Sequence, residues 1–312
     1  MSLTLRQLRY FQALAQELHF GRAAEKVNVS QPALSVQIKE LEQNLNAHLV
    51  ERHTREVIIT PLGHEVLRRT QEILSNVANL EYAMRWHGGL SGHLSVGMIP
   101  TIAPYLLPAV LPVLKARNPT LKLQAREADT ETILSELAAG ILDAAVIALP
   151  SGREDLFFET ALFEDRFLLA GSVKHSSYFG NRVKALRPNN LDPAQLLLLD
   201  EGHCLTDQAL EACDFDNSTT LANLRASSLT TLCGLVSAGF GLTFLPEISI
   251  ARETSANHNL DVSRFITPEP SRQIGIIRRR MTHDDGWFND LADVFKQTGE
   301  QLLLNARQEF PE

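Results

Sequence analysis

Apolar residues change their spacing along the chain, and each change marks a different kind of element. Leu5, Leu8, Phe11 and Leu14 predict an amphipathic helix over Leu5–Glu17, and Phe20, Ala23, Ala24 and Val27 predict a second, shorter one. After the turn Asn28-Val29-Ser30, Ser30 is a good N-cap, and Pro32 falls in the first helical turn, where its missing N–H costs nothing. The third helix then buries Leu34, Ile38, Leu41 and Leu45 and turns Gln31, Ser35 and Lys39 outward. Val50–Ile59 reads as a small hairpin with Arg52, His53 and Arg55 at its tip. Thr60-Pro61 caps and opens a long helix to about Trp86. In it Val66, Thr70, Ile73, Val77, Leu80 and Met84 alternate by four and three, the seam of a coiled coil. Such a helix needs a partner, because isolated helices are marginal in water; the other reading is a helix lying on its own domain. Gly88-Gly89-Leu90-Ser91-Gly92 follows as a flexible joint.

Beyond that joint the period switches. The runs LSVGMI, LKLQARE and AAVIA alternate with helical stretches at Leu106–Ala116 and Thr130–Ala139, which predicts α/β structure with parallel strands. The pattern repeats from about Phe167, with a strand at FLLA, a helix at Leu229–Ala238 and the run GFGLTFLP. Ile274–Ile277 and the amphipathic stretch Trp287–Leu304 are expected to cross back to the first half. Two α/β halves joined by crossovers predict a two-subdomain, periplasmic-binding-protein-like module with a ligand cleft between its halves. The expected boundaries are 1–60 for the head, 61–88 for the linker helix and 93–312 for the effector domain, with subdomain I at 93–165 and 269–312 and subdomain II at 166–268.

Two short helices, a tight turn and a polar-fronted second helix are the layout of a helix-turn-helix. Gln31 and Ser35 near the start of that helix suit base edges, while Lys39 and Arg22 suit phosphates, and Arg52 and Arg55 an adjacent groove or backbone. The net charge of −8 argues at first against nucleic acid, but it is unevenly spread. Residues 1–69 carry nine Lys/Arg and seven Asp/Glu (+2), leaving 20 against 30 (−10) for the rest. A weakly basic head on an acidic body fits a DNA-reading domain with a separate sensing domain. No apolar run approaches the ~18 residues of a membrane span. The start MSLTLRQLRYF lacks the layout of a signal peptide, so a cytoplasmic chain is expected, where a cysteine pair is more often catalytic or sensory than structural.

Three cysteines occur, and two of them, Cys204 and Cys213, bracket one short amphipathic stretch. Nine residues separate them, too many for a CxxC redox pair or a zinc knuckle. If Leu205–Ala212 is helical, the two thiols lie about 13 Å apart on opposite faces, whereas a disulfide needs Cα atoms within about 4.4–6.8 Å. They can pair only if the helix between them unravels. Cys233 falls among Leu229, Leu232, Leu235 and Val236 and reads as a buried, inert thiol.

The head resembles the winged helix-turn-helix of LysR-type transcriptional regulators. The residues that carry this are Phe20-Gly21-Arg22-Ala23-Ala24, Val29-Ser30-Gln31-Pro32-Ala33-Leu34-Ser35, Ile38-Lys39-Glu40-Leu41-Glu42 and Glu51-Arg52. Val50 stands where the family more often has Phe. Further along, Ile99–Pro108, Glu127–Thr130, Asp200–Ala209, Cys213, Arg225–Leu229 and Glu269–Gly275 resemble the peroxide-sensing members of that family. The resemblance implies that Cys204 is the peroxidatic thiol and Cys213 the resolving one. A helix start and the neighbour His203 both favour a thiolate at Cys204, whereas the helix end gives Cys213 no such help. It also implies a peroxide pocket formed by Thr101, Thr130, His203, Cys204 and Arg272, with Thr132 close to Thr130. The expected partners are double-stranded DNA through Arg22, Gln31, Pro32, Ser35, Lys39, Arg52 and Arg55, further copies of the chain as a dimer of dimers, RNA polymerase, and thiol reductants of thioredoxin or glutaredoxin type. No metal, organic cofactor or membrane is called for. Two rivals stay open: a LysR-type regulator answering a small metabolite, and a thiol peroxidase or metal binder built on His203, Cys204 and Cys213.

Overall fold

A computed structural model of the chain describes residues 3–52, 57–83, 92–173, 186–200, 202, 204–214, 225–282 and 286–310. The chain divides into two units, one built from residues 1–84 and 138–140 and the other from 85–137 and 141–312.

In the first unit α1 (Leu5–Glu17), α2 (Phe20–Lys26) and α3 (Gln31–Leu45) pack around Leu8, Phe11, Leu14, Ala23, Leu34, Ile38 and Leu41. Thr4 and Gln7 cap α1 reciprocally, and Ser30 caps α3 by accepting from Ala33 N. Strands β1 (Val50–Arg52) and β2 (Val57–Ile59) form the antiparallel hairpin; its tip, with His53 and Arg55, lies outside the described residues. Thr60 Oγ1 accepts from Gly63 N at 2.9 Å and opens α4 (Pro61–Ala83). The described seam residues of α4 do not all share one environment. Thr70 and Leu74 are buried, and α4 packs on α1, while Ile73 of the expected seam stays exposed. The side chain of Leu80 and all of Met84 lie outside the described residues.

The second unit begins with β3 (His93–Met98), α5 (Ala103–Arg117), β4 (Lys122–Glu127), α6 (Thr130–Ala138) and β5 (Ala144–Leu149). Here β3 pairs in parallel with both β4 and β5. The expectation of parallel strands throughout fails after β5. The stretch from Phe157 to Ser172 is one long strand, β6, not a short one at FLLA. Its first half pairs antiparallel with β11 (Ser271–Arg279), which is also antiparallel to β5. Its second half pairs antiparallel with β9 (Thr243–Pro246) and β10 (Leu260–Arg264). The sheet is mixed because β11 lies between β5 and β6 and runs antiparallel to both. Between them come β7 (Leu198–Leu199), α7 (Cys204–Cys213), β8 (Arg225–Ala226), α8 (Leu229–Ser237) and α9 (Ile250–Ala256). The closing helix α10 (Trp287–Glu309) runs longer than expected and buries Trp287, Phe288, Leu291, Phe295 and Leu303.

Candidate functional site

Where β6 passes from its pairing with β11 to its pairings with β9 and β10, the alternation Phe163, Asp165, Phe167 points a carboxylate inward between two aromatic residues, and all three are buried. A buried charge persists only when paired and hydrogen-bonded. Its register partner on β11 is Arg272, whose Nε and Nη2 donate to Asp165 Oδ2 at 3.0 and 2.9 Å, with neither side chain exposed. Ile248 N donates to the other oxygen at 3.0 Å. Burial pushes the Asp165 carboxyl up from its ordinary value, and the Arg272 charge and the Ile248 N–H act against that push.

The rest of the guanidinium turns to Thr101. Nη1 donates to Thr101 Oγ1 at 2.8 Å and Nη2 to its backbone oxygen at 3.3 Å, and the group lies over the Phe167 ring, 5.7 Å from the centroid. Thr101 in turn lines a narrow crevice with Ile99, Pro100, Asp129, Thr130, Gly202 and Cys204. The crevice is small, with about 170 Å³ of empty space including its opening to solvent. Of the threonines at the start of α6, Thr130 lines this crevice; Thr132 is committed to Asp129, giving its hydroxyl to Oδ2 at 2.7 Å and its N–H to Oδ1 at 2.9 Å. Those bonds hold the Asp129 carboxyl below its ordinary value. The turn before α7 needs φ of 94° at Gly202, a left-handed conformation that favours glycine.

Helix α7 runs unbroken from Cys204 to Cys213, and both thiols are free. Cys204, its first residue, is half-buried; Cys213, its last, is 1% exposed, and burial pushes that thiol up to about 12. Leu205, Ala209 and Leu210 pack inward, and Thr206 Oγ1 donates to Leu199 O at 3.0 Å. The structure therefore brings Thr101, Thr130 and Cys204 together and sets Arg272 behind Thr101. His203 lies outside the described residues. Cys233 is fully buried on α8, its thiol also pushed up by burial. Asp165 escaped the sequence reading, although an acidic residue at the inward position of Phe-x-Asp-x-Phe was a signal.

On the head, Gln31, Pro32 and Lys39 are exposed and Ser35 is half-buried, all on α3. Arg22 is exposed at the start of α2, where its Nη2 donates to Glu17 O at 2.8 Å. The side chain of Arg52 lies outside the described residues. Among the described residues no three His, Cys, Asp or Glu are grouped to hold a metal ion, and no helix is long and apolar enough to cross a membrane.

Residues 5–64 match the bacterial regulatory helix-turn-helix of the lysR family, and residues 87–300 match the LysR substrate binding domain. The chain belongs to the LysR family. This LysR-family chain is 38% identical over 305 residues to a probable hydrogen peroxide-inducible genes activator of Streptomyces viridosporus, covering 96% of this chain and 95% of the other. It is also 38% identical to the DNA-binding transcriptional dual regulator OxyR of Escherichia coli K12, covering 94% and 95%. Among solved structures, full-length OxyR from Pseudomonas aeruginosa, in a cysteine-to-aspartate form, superposes with a TM-score of 0.71 at 34% identity over 95% of both chains. A Corynebacterium glutamicum OxyR cysteine-to-serine mutant with hydrogen peroxide bound superposes with a TM-score of 0.66 at 35% identity, over 99% and 96%.

Proposed function

We propose that this LysR-family protein is a peroxide-responsive, DNA-binding transcriptional regulator whose switch is the pair Cys204 and Cys213. The Cys204 thiolate attacks one oxygen of hydrogen peroxide and the O–O bond breaks. Sulfur keeps that oxygen as a sulfenic acid, and the other oxygen leaves as hydroxide, which a proton converts to water. Thr101, Thr130 and His203 are the groups to hold the peroxide, with Arg272 acting on it through Thr101. The Cys213 thiol then condenses with the sulfenic acid; its proton leaves with the sulfenic oxygen as water, and the sulfur–sulfur bond forms. That second step requires α7 to come apart. The result is two discrete states of the effector domain, which an oligomer on DNA reads as two geometries.

The observation that carries this reading is one helix with a half-buried thiol in a hydroxyl-lined crevice at its start and a buried thiol at its end. Residues 1–60 would read double-stranded DNA through Arg22, Gln31, Pro32, Ser35, Lys39, Arg52 and Arg55. The linker helix 61–88 would pair copies into a dimer of dimers, and residues 93–312 would sense. RNA polymerase is the partner at the promoter, and cytoplasmic reductants of thioredoxin or glutaredoxin type reset the disulfide. Mass spectrometry of the reduced protein after one equivalent of peroxide tests the proposal. A Cys204–Cys213 disulfide is expected, and Cys213→Ser should stop at a sulfenic acid on Cys204. Unmodified Cys204 would transfer the case to a regulator answering a small metabolite, and turnover of many equivalents with a reductant to a thiol peroxidase.

A further inference from the structure

A guanidinium has five N–H donors in one rigid fork and no acceptor, so what holds one edge decides where the other edge points. In this chain Asp165 holds the Nε–Nη2 edge of Arg272 on a single oxygen, while Ile248 N pins the second oxygen of the same carboxylate. The Phe167 ring closes one face of the fork. With that edge fixed, Nη1 reaches Thr101 Oγ1 at 2.8 Å. A hydroxyl has one proton and two lone pairs. With one lone pair engaged by a cation, the Thr101 O–H is both polarised and left to be given elsewhere, and Thr101 lines the same crevice as Cys204.

We propose that Asp165 is a positioning residue for the reaction at Cys204: by fixing the Arg272 fork it aims the Thr101 hydroxyl proton into the crevice, where the departing peroxide oxygen takes up charge. The proposal rests on the peroxide reading of that crevice. In it Asp165 touches neither thiol nor peroxide, and it acts only through Arg272 and Thr101. Charge stabilisation of this kind depends on donors held in place before the reaction, so the carboxylate serves by keeping the donor still. The alternative is that Asp165 and Arg272 merely tie β6, β11 and the Ile248 segment together.

The two are separated by a cycle of variants in the full-length reduced protein, with Cys204 oxidation by hydrogen peroxide followed by rapid quench and mass spectrometry. Asp165→Asn keeps the size but drops the charge and one acceptor. It should slow oxidation on the order of 10- to 100-fold, the scale of a misplaced or missing transition-state donor. Thr101→Val should slow it by a similar factor, and the double variant should be no slower than Thr101→Val alone, because the two lie on one path. In the same Asp165→Asn protein, alkylation of Cys204 by chloroacetamide, which needs no such donor, should not fall at any pH. Multiplicative losses in the double variant would overturn the proposal, as would alkylation falling in step with oxidation. If Asp165→Asn does not fold, Arg272→Lys replaces it. A single ammonium does not span Asp165 and Thr101 together, so the same slowing is expected, absorbed in the Thr101→Val background; full speed in Arg272→Lys would overturn the proposal. A Thr101→Val protein that oxidises at the wild-type rate would instead bring down the crevice reading beneath it.

Discussion

Loosening α7 should make the Cys204–Cys213 disulfide easier to form, and Leu205→Ala is the cleanest way to loosen it. Leu205 is 3% exposed and lines one small interior space with Leu198, Leu199, Ala209, Leu232 and Phe244. Truncating a leucine in such a place costs about 2–5 kcal/mol. The side chain holds this seat only while the helix is intact, so the loss falls on the reduced form. Taking about 3 kcal/mol as that difference, and about 30 mV for each 1.4 kcal/mol in a two-electron couple, the midpoint should move about 60 mV more negative. The assay equilibrates the protein in a series of dithiothreitol redox buffers, blocks free thiols and counts them by mass. Leu303→Ala is the control: Leu303 is equally buried but lies on α10, so its loss should fall on both forms and leave the midpoint in place. A folded Leu205→Ala protein with its midpoint within about 10 mV of wild type would refute the claim that disulfide formation dismantles this packing.

Burial of Cys213 has its own pH signature. Its thiol is pushed up to about 12 in the fold, against about 8.5 in an unfolded chain. The native state therefore holds this proton longer, and the stability it contributes is complete below about pH 8.5 and is lost as pH rises toward the folded value. In denaturant titrations of the reduced protein above about pH 9, Cys213→Ser should flatten the decline by about 1.4 kcal/mol per pH unit; an unchanged slope would count against the burial. On DNA, Ser35→Ala should relax base preference, whereas Lys39→Ala should weaken all sequences alike and lower the slope of affinity against salt. Equal effects of the two changes in binding assays across salt would refute this placement on α3.

Where neighbours along the chain decide the structure, the sequence was readable. The head helices follow from period and caps: Ser30 and Thr60 sit where their side chains accept the orphan N–H groups. Helix α7 was legible for the same reason, and its limits at Cys204 and Cys213 lie one residue outside the expected ones. Distant pairings were not legible. Strand β6 showed only its apolar end, because the half that pairs with β11 carries Glu159, Glu164 and Arg166 and does not look like a buried strand. The heptad count on α4 presumed one neighbour. The helix in fact turns Thr70 and Leu74 to its own domain and leaves Ile73 exposed, so one periodic row could not describe both faces. In the site, Cys204 stood out by its spacing from Cys213, whereas Thr101, Thr130 and Arg272 came from resemblance, and no local rule would have joined them. Asp165 could be missed because a single acidic residue in a strand normally faces water, and only the register with Arg272 makes it part of the site.

The narrowness of the crevice bears on where the energy of switching comes from. A ligand of two heavy atoms can offer about 3 kcal/mol of binding at the usual ceiling for very small molecules. Unseating Leu205 and Leu210 alone costs about 3–6 kcal/mol at 1.5–3 kcal/mol for each buried leucine. Occupancy of the crevice alone is therefore too weak to move the protein. One strand, β6, carries both the pairing with β11 and the pairings with β9 and β10. In the proposed switch the work is drawn from breaking an O–O bond and making an S–S bond. The response is then driven by consumed oxidant, with a memory that outlasts the oxidant and ends only when a reductant erases it.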